Sequence, residues 1–209
     1  VGIFNTDAAR SINNHIENNV RTTTGADVNY MPVWRKYDNT GRLVYAEAEN
    51  NGNLVKIYDE GVLVQSIKVT YAELLSKSIC ELDGVEAAAR VYRETDIPVR
   101  GNGANMENVD VMYVDPYEFG TVAFSTYDMN PYHLNAYLNA MSRNEEALVV
   151  SNNLMSQLGL KPGDSLTVTN AAGSITGTVI AGVDAWPGFE KYHETERGRV
   201  YETAFVVGN

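Results

Sequence analysis

The most informative part of the chain runs Ala147-Leu148-Val149-Val150-Ser151-Asn152-Asn153-Leu154-Met155-Ser156-Gln157-Leu158-Gly159-Leu160-Lys161-Pro162-Gly163-Asp164-Ser165-Leu166-Thr167-Val168. Its first four residues are apolar without alternation, the mark of a short buried strand. Ser151 is placed to cap a helix. Leu154, Met155 and Leu158 share one face of that helix, and Gly159 supplies a left-handed end. Pro162 fixes a turn, and Gly163-Asp164 opens a hairpin. The hairpin is predicted over 165–169 and 174–183, around Ala171-Ala172-Gly173.

Beyond the hairpin lies a polar and aromatic loop over 186–199, and a closing strand is predicted over 201–207. Ahead of it, Pro116 opens a helix over 116–123 and Pro131 opens another over 132–141. A buried strand is predicted over 109–114, with strands over 85–93 and 96–99 before the loop Arg100-Gly101-Asn102-Gly103. At the start, Asn5, Thr6 and Asp7 offer caps to an amphipathic helix. Its apolar face carries Ala8, Ala9, Ile12, Ile16 and Val20; Arg10, Asn13, Asn14, Glu17 and Asn18 lie opposite, and it ends near Gly25. Strands over 27–36, 43–46, 54–58 and 62–69, separated by turns such as Asn50-Asn51-Gly52 and Asp59-Glu60-Gly61, read as an antiparallel meander. A helix over 70–80 follows, with Tyr71, Leu74, Leu75 and Ile79 on one face and Asp83-Gly84 as its breaker. The class is α+β: a mixed α/β core with an antiparallel meander and a small β-rich insert.

A chain of 209 residues with 44% apolar and 21% charged residues has enough material for a buried core. Its formal net charge is −11. That sign opposes nucleic acid, because phosphates are neutralised by clustered Lys and Arg. It also opposes adhesion to anionic lipid headgroups. The single cysteine, Cys80, forms no internal disulfide and anchors no cysteine-based zinc site; its helix-like surroundings predict a buried thiol. No apolar run reaches membrane-spanning length. The first residue is Val1 rather than Met, and the sequence stops inside an apolar strand-like run, so both ends read as cuts from a longer protein.

Chemistry-bearing patterns are scarce. The three histidines are His15, His133 and His193. His193-Glu194 has no second histidine four positions after the first, as a zinc-hydrolase helix needs. There is no Gly-x-Ser-x-Gly elbow and no Walker loop. Gly101-Asn102-Gly103 lacks the third glycine of a dinucleotide loop and reads as a turn. The acidic residues miss calcium-loop spacing, and Glu145-Glu146 and Glu47 with Glu49 read as solvated edges. No catalytic, cofactor or metal residue is therefore expected, although scattered carboxylates brought together by folding could serve a hydrolase. Tyr113, Tyr117, Tyr127, Tyr132 and Tyr137 serve either recognition or the padding of strand and helix faces. Trp186, Phe189 and Tyr192 form the candidate partner or cargo contact, since large aromatics beside Pro187-Gly188 are costly to expose without use. Tucking of this loop onto the core is the equal alternative.

The segment 147–168 resembles a signature segment of the FtsX/MacB-like permease family, in which a strand, a helix and a Leu-Gly-Leu-x-x-Gly-Asp turn lead into a hairpin. Thr176-Gly177-Thr178-Val179-Ile180-Ala181-Gly182-Val183 is similar to that family's returning strand. Asn5-Thr6-Asp7-Ala8-Ala9-Arg10-Ser11-Ile12 with Gly25-Ala26-Asp27-Val28 resembles the start of its extracytoplasmic domains, and Leu82-Asp83-Gly84-Val85-Glu86 a joint of their core. The resemblance implies a non-enzymatic domain of a bacterial ABC transporter permease, outside the cell membrane, with a MacB-like core. It implies membrane helices at both ends, a second permease, a cytoplasmic ATPase subunit, and peptide, lipid or lipoprotein cargo. Residues 1–143 and 185–209 would form a core lobe, and 144–184 an inserted lobe. The long acidic meander over 27–69 matches no particular subfamily. A free-standing cell-surface binding module or adhesin is the alternative.

Overall fold

The computed structural model describes residues 17–30, 35–45, 49–51, 54–72, 79–126, 129–170, 173–194 and 198–209. The chain divides into two compact units: residues 1–29 with 86–209, and residues 30–85. Both helices and strands are present, so the mixed α+β class holds.

The larger unit is built on a closed barrel of six strands. These are β5 (Val91–Gly101), β6 (Ala104–Val114), β7 (Ala147–Ser151), β8 (Ser165–Asn170), β9 (Gly173–Val183) and β12 (Phe205–Gly208), in the order β12-β6-β5-β8-β9-β7. Two contacts are parallel, β12 with β6 and β7 with β9. The other four are antiparallel. Closure leaves no unpaired sheet edge. Every strand sends side chains to an interior cluster: Val99, Val109 and Val111, Leu148 and Val150, Leu166 and Val168, Val179, and Val206. Helix α4 (Asn152–Leu158) adds Leu154 and Leu158 to that cluster. The alternate residues of β6, β7 and β12 face outward and are buried again. Met112, Val149, Phe205 and Val207 pack beneath α2 (Pro116–Val122) and α3 (Leu134–Met141). Burial on both faces explains why the first four residues of β7 are apolar instead of alternating.

Bulges keep this two-sided pattern in step. Leu148 pairs with Val179 but Val149 with Ala181, so β9 spends Ile180 as an extra residue. The parity then flips: Val179 faces inward, whereas Val183 joins the outer cluster. In β5 and β6, Asp96 and Asn108 take positive φ of 58° and 60° at two register shifts. Pro98, which has no N–H to give a ladder, sits within the second shift, between Ile97 and Val99.

The predicted strand–helix–turn–hairpin segment forms as β7, α4, β8 and β9. Gly159 ends α4 at φ 61°, its amide bonded to Met155 and Ser156 carbonyls. Asp164 locks the following turn by accepting hydrogen bonds from the Lys161 amide at 2.8 Å and the Asn102 side chain at 3.2 Å. The Lys161 bond, and then the Asn102 bond, hold its carboxyl below the usual carboxylate range. Pro116 begins α2 as expected, and Asp115 caps it by accepting from the Tyr117 and Glu118 amides. Asn102-Gly103, at φ 49° and 78°, is the turn of the β5–β6 hairpin.

In the smaller unit β1 (Arg35–Asp38), β2 (Glu49–Asn51), β3 (Leu54–Asp59) and β4 (Val62–Ala72) form one antiparallel sheet in the order β1-β4-β3-β2. Val55 and Val69 are its fully buried side chains among the described residues. Glu60 and Gly61, both at positive φ, make the tight turn between β3 and β4.

Several expectations are corrected. Residues 144–184 are not a separate lobe: β8 bonds to β5 and β7 to β12, so they supply three of the six barrel strands. The second unit is instead 30–85. The helix expected from residue 70 starts no earlier than 73, because β4 continues to Ala72 through its pairing with β1. Residues 85–90 are not a strand, and 91–101 form one long strand instead of two short ones. Cys80 is exposed rather than buried. The first helix is present over 17–24 (α1); its expected start, with His15, lies outside the described residues, as do Tyr127 and most of the 70–80 helix.

Two outcomes test this packing. A Cβ at Gly177 would lie 2.5 Å from the Glu146 carbonyl oxygen, an atom fixed by the Thr178 amide. Gly177→Ala is therefore expected to cost about 1–3 kcal/mol in urea unfolding. The lowered Asp164 value means its contribution is present above its unfolded-state value and disappears as pH falls through the native one. Asp164→Asn is expected to reduce the melting temperature at neutral pH and to flatten its decline on the acid side.

Candidate functional site

After β9 the chain leaves the barrel as a loop, 184–191, anchored at several points. Asn130 clamps its start, donating to the Ala185 carbonyl at 2.7 Å and accepting from the Asp184 and Ala185 amides. The Trp186 ring is fully buried, stacked on Phe119 at 6.0 Å and 10° and edge-on to Tyr137 at 6.4 Å. Phe189 stacks on Phe205 at 4.6 Å. Its other face carries the Arg93 guanidinium at 4.8 Å, and Arg93 donates to the Gly188 carbonyl at 2.6 Å. The Gly188 amide in turn bonds to the Thr22 carbonyl of α1. Gly25, which ends α1 at φ 79°, must be glycine here for a second reason: a Cβ would stand 2.8 Å from the Gly188 nitrogen.

A short hairpin follows, β10 (Tyr192–Glu194) with β11 (Val200–Glu202). It is tied down by the buried carboxylate of Asp110, whose Oδ2 lies 3.3 Å from His193 Nε2 and 4.0 Å from Arg93 Nη2. Asn153 holds the chain after β11 by donating to the Glu202 and Thr203 carbonyls, both at 3.1 Å. Ser151 is spent on the same stretch, its hydroxyl accepting from the Phe205 amide at 3.0 Å.

These elements surround an open cavity of about 880 Å³, bounded by α1, the first turn of α4, the loop and residues 202–205. Its walls are dominated by uncharged amide and hydroxyl side chains: Asn18, Asn19, Thr22 and Thr23 from α1, and Asn152, Asn153 and Ser156 from α4. Three carboxylates, Asp184, Glu190 and Glu202, border it against one ammonium, Lys191. Trp186 Nε1 and Thr203 Oγ1 also belong to its wall residues, and both are buried without a hydrogen-bond partner among the described residues. The size falls within the range of small-ligand sites.

The three aromatic residues singled out in the sequence all border this cavity, in different states. Trp186 and Phe189 tuck onto the core, the second of the two readings. Tyr192 is exposed, with the Lys191 ammonium 5.5 Å from its ring centre. His133 caps α3, its Nδ1 accepting from the Asn135 amide at 3.2 Å, so it performs a structural job. Among the tyrosines, Tyr117 and Tyr132 are exposed and Tyr137 is buried, so both readings apply, residue by residue. Among the described residues no group of three or more His, Cys, Asp or Glu is placed to hold a metal ion. No described helix is long and apolar enough to cross a membrane.

A second, smaller cavity of about 420 Å³ lies beside Tyr92, Tyr113 and Asn170. Glu94 accepts from the Tyr92 hydroxyl and from Asn170 there. The Glu94 bond raises Tyr92 above the usual phenol value, whereas burial is the main cause that raises Tyr113.

The amide walls, Arg93, Asp110 and Thr203 went unnoticed in the sequence. One signal was available: Asn18-Asn19 and Asn152-Asn153 place paired asparagines in helices, where asparagine is a poor choice unless its side chain has other work. No family model matches the chain, and no curated protein matches it.

The burial pattern makes a direct prediction. Trp186→Ala and Phe189→Ala are each expected to cost about 3–5 kcal/mol. Tyr192→Ala should stay within about 0.5 kcal/mol. Urea unfolding of the three variants checks this.

Proposed function

We propose that this chain is a non-enzymatic extracytoplasmic domain of a bacterial FtsX/MacB-like ABC transporter permease, which binds or senses cargo and passes on ATP-driven motion. The observation that carries this reading is the placement of the 880 Å³ cavity. One of its walls is α4, inside the segment that resembles the permease family, and its loop continues directly from β9 of that segment. Cargo held there would press on β7, α4 and β9, and motion of those elements would reshape the cavity. The lining of amides, hydroxyls and aromatics suits binding of a polar ligand. The MacB-like relationship of the core belongs to the same proposal.

A free-standing surface binding module is favoured by one observation, the exposure of Tyr45, Tyr117 and Tyr132, since tyrosine suits recognition surfaces. The coding sequence on either side separates the two. For the permease it should specify an apolar run of about 20 residues shortly before Val1 and another soon after Asn209. The full-length protein extracted from membranes should then retain a cytoplasmic ATPase subunit. A parent protein lacking both runs overturns the permease reading and leaves the binding module.

A further inference from the structure

The six barrel strands meet at one mouth, and the cavity of about 420 Å³ lies there. Tyr92 comes from the start of β5, Tyr113 from the end of β6, Leu148 from the start of β7, Asn170 from the end of β8, Ile175 from the start of β9 and Gly208 from the end of β12. We propose that this mouth binds a small organic cation carrying a methylated ammonium group. The site is separate from the cavity beside α1 and α4 and does not rest on the permease reading.

Two aromatic rings form one wall. The ring centres of Tyr92 and Tyr113 are 6.3 Å apart, with the planes tilted by 37°. Tyr92 is half exposed, whereas Tyr113 packs against the interior cluster of the barrel. Gly208 permits this placement, since a Cβ there would stand 2.8 Å from the Tyr113 ring. The Glu94 hydrogen bond raises Tyr92, and burial, followed by the Glu94 charge, raises Tyr113, so both stay neutral phenols with electron-rich faces. An ammonium within about 6 Å of a ring centre is attracted by that face. At the observed separation one cation can reach both rings.

Glu94 sets the sign of the charge. One of its oxygens accepts from the Tyr92 hydroxyl and the other from the Asn170 amide at 2.9 Å. Among the described residues no ion pair neutralises it. Glu145 and Glu146 border the same mouth, and none of the lining residues is Lys, Arg or His. An anion therefore meets only like charge.

The remaining chemistry selects an alkylated nitrogen. Both Glu94 oxygens already accept hydrogen bonds, so the carboxylate acts through its field. A trimethylated nitrogen has no N–H to satisfy and suits this better than a primary ammonium. Leu148 and Ile175 give its methyl groups apolar contacts. A hard metal ion instead needs several oxygen ligands. Among the described residues no group of three or more His, Cys, Asp or Glu is placed to hold one.

The test uses the 209-residue chain with choline, its uncharged carbon isostere 3,3-dimethylbutan-1-ol, and phosphocholine as probes. Choline is expected to bind saturably and to shift the amide NMR signals of Tyr92, Tyr113, Leu148 and Gly208. The isostere should bind about tenfold or more weakly, because it lacks the charge the rings and Glu94 attract. Phosphocholine should bind about threefold or more weakly than choline, because its phosphate meets the carboxylates. Tyr92→Phe keeps the ring and should hold choline within about twofold, whereas Tyr92→Leu should weaken it about fivefold or more. Glu94→Gln should weaken it roughly three- to tenfold. A thermal melt checks that each variant folds, and the ratio of choline to isostere on the unaltered chain decides the question where one does not. Equal binding of choline and isostere, tighter binding of phosphocholine, no saturation, shifts confined to the cavity beside α1 and α4, or unchanged choline binding in folded Tyr92→Leu overturns the inference. The flanking apolar runs and ATPase retention judge the permease reading separately.

Discussion

Closure of the barrel by β12 is the contact on which the larger unit depends. Four residues, Phe205–Gly208, join the last strand parallel to β6 on one side and antiparallel to β7 on the other. Without them the sheet opens between β6 and β7, and both cores lose a wall. Val206 points inward with the other strand valines, while Phe205 and Val207 support the outer layer. The same strand reaches the cavity, because Phe205 holds Phe189 in place and its amide is fixed by Ser151. Packing and site are therefore coupled through one short element. At about 1.5–3 kcal/mol for each large apolar side chain buried, these few residues contribute out of proportion to their number.

The readable parts of the fold were those whose local chemistry has one outcome. The leucines of α4, Gly159 and Pro162-Gly163-Asp164 leave little freedom, and the strand–helix–turn–hairpin unit follows from them, whereas Ser151 precedes α4 without the side-chain cap bond expected of it. Pro116 and the Asn102-Gly103 turn are of the same kind. The unreadable parts depend on partners distant in sequence. Residues 70–72 have helical apolar spacing, yet they extend β4 because β1 supplies a pairing strand. The segment 144–184 looks self-contained, since each of its elements is specified locally. Its strands nonetheless find β5 and β12, which no local pattern announces. The thiol of Cys80 is exposed, which its apolar sequence neighbours do not announce.

The candidate site was partly legible. Trp186 and Phe189 stood out as large aromatics in a polar loop, and they do border the cavity, although their rings belong to the core. The polar walls were hidden because amides and hydroxyls look alike whether they face solvent or a ligand. Asn18 and Thr22 become neighbours of Asn152 and Glu202 only when α1 docks on the loop through Gly25 and Gly188. Arg93 was equally obscure. Its three contacts, to Phe189, the Gly188 carbonyl and Asp110, join elements far apart in sequence.

The smaller unit has a different standing in the chain. It departs after Asn29 and returns at Glu86, so the larger unit is interrupted by an excursion that folds on a sheet of its own. The entropy of closing such an excursion grows slowly, about 0.6 kcal/mol for each doubling of its length. Barrel stability is thus nearly indifferent to how long the excursion is or which residues fill it. The barrel is the keel and residues 30–85 are rigging: trimming or lengthening the excursion should leave the register of the six strands unchanged.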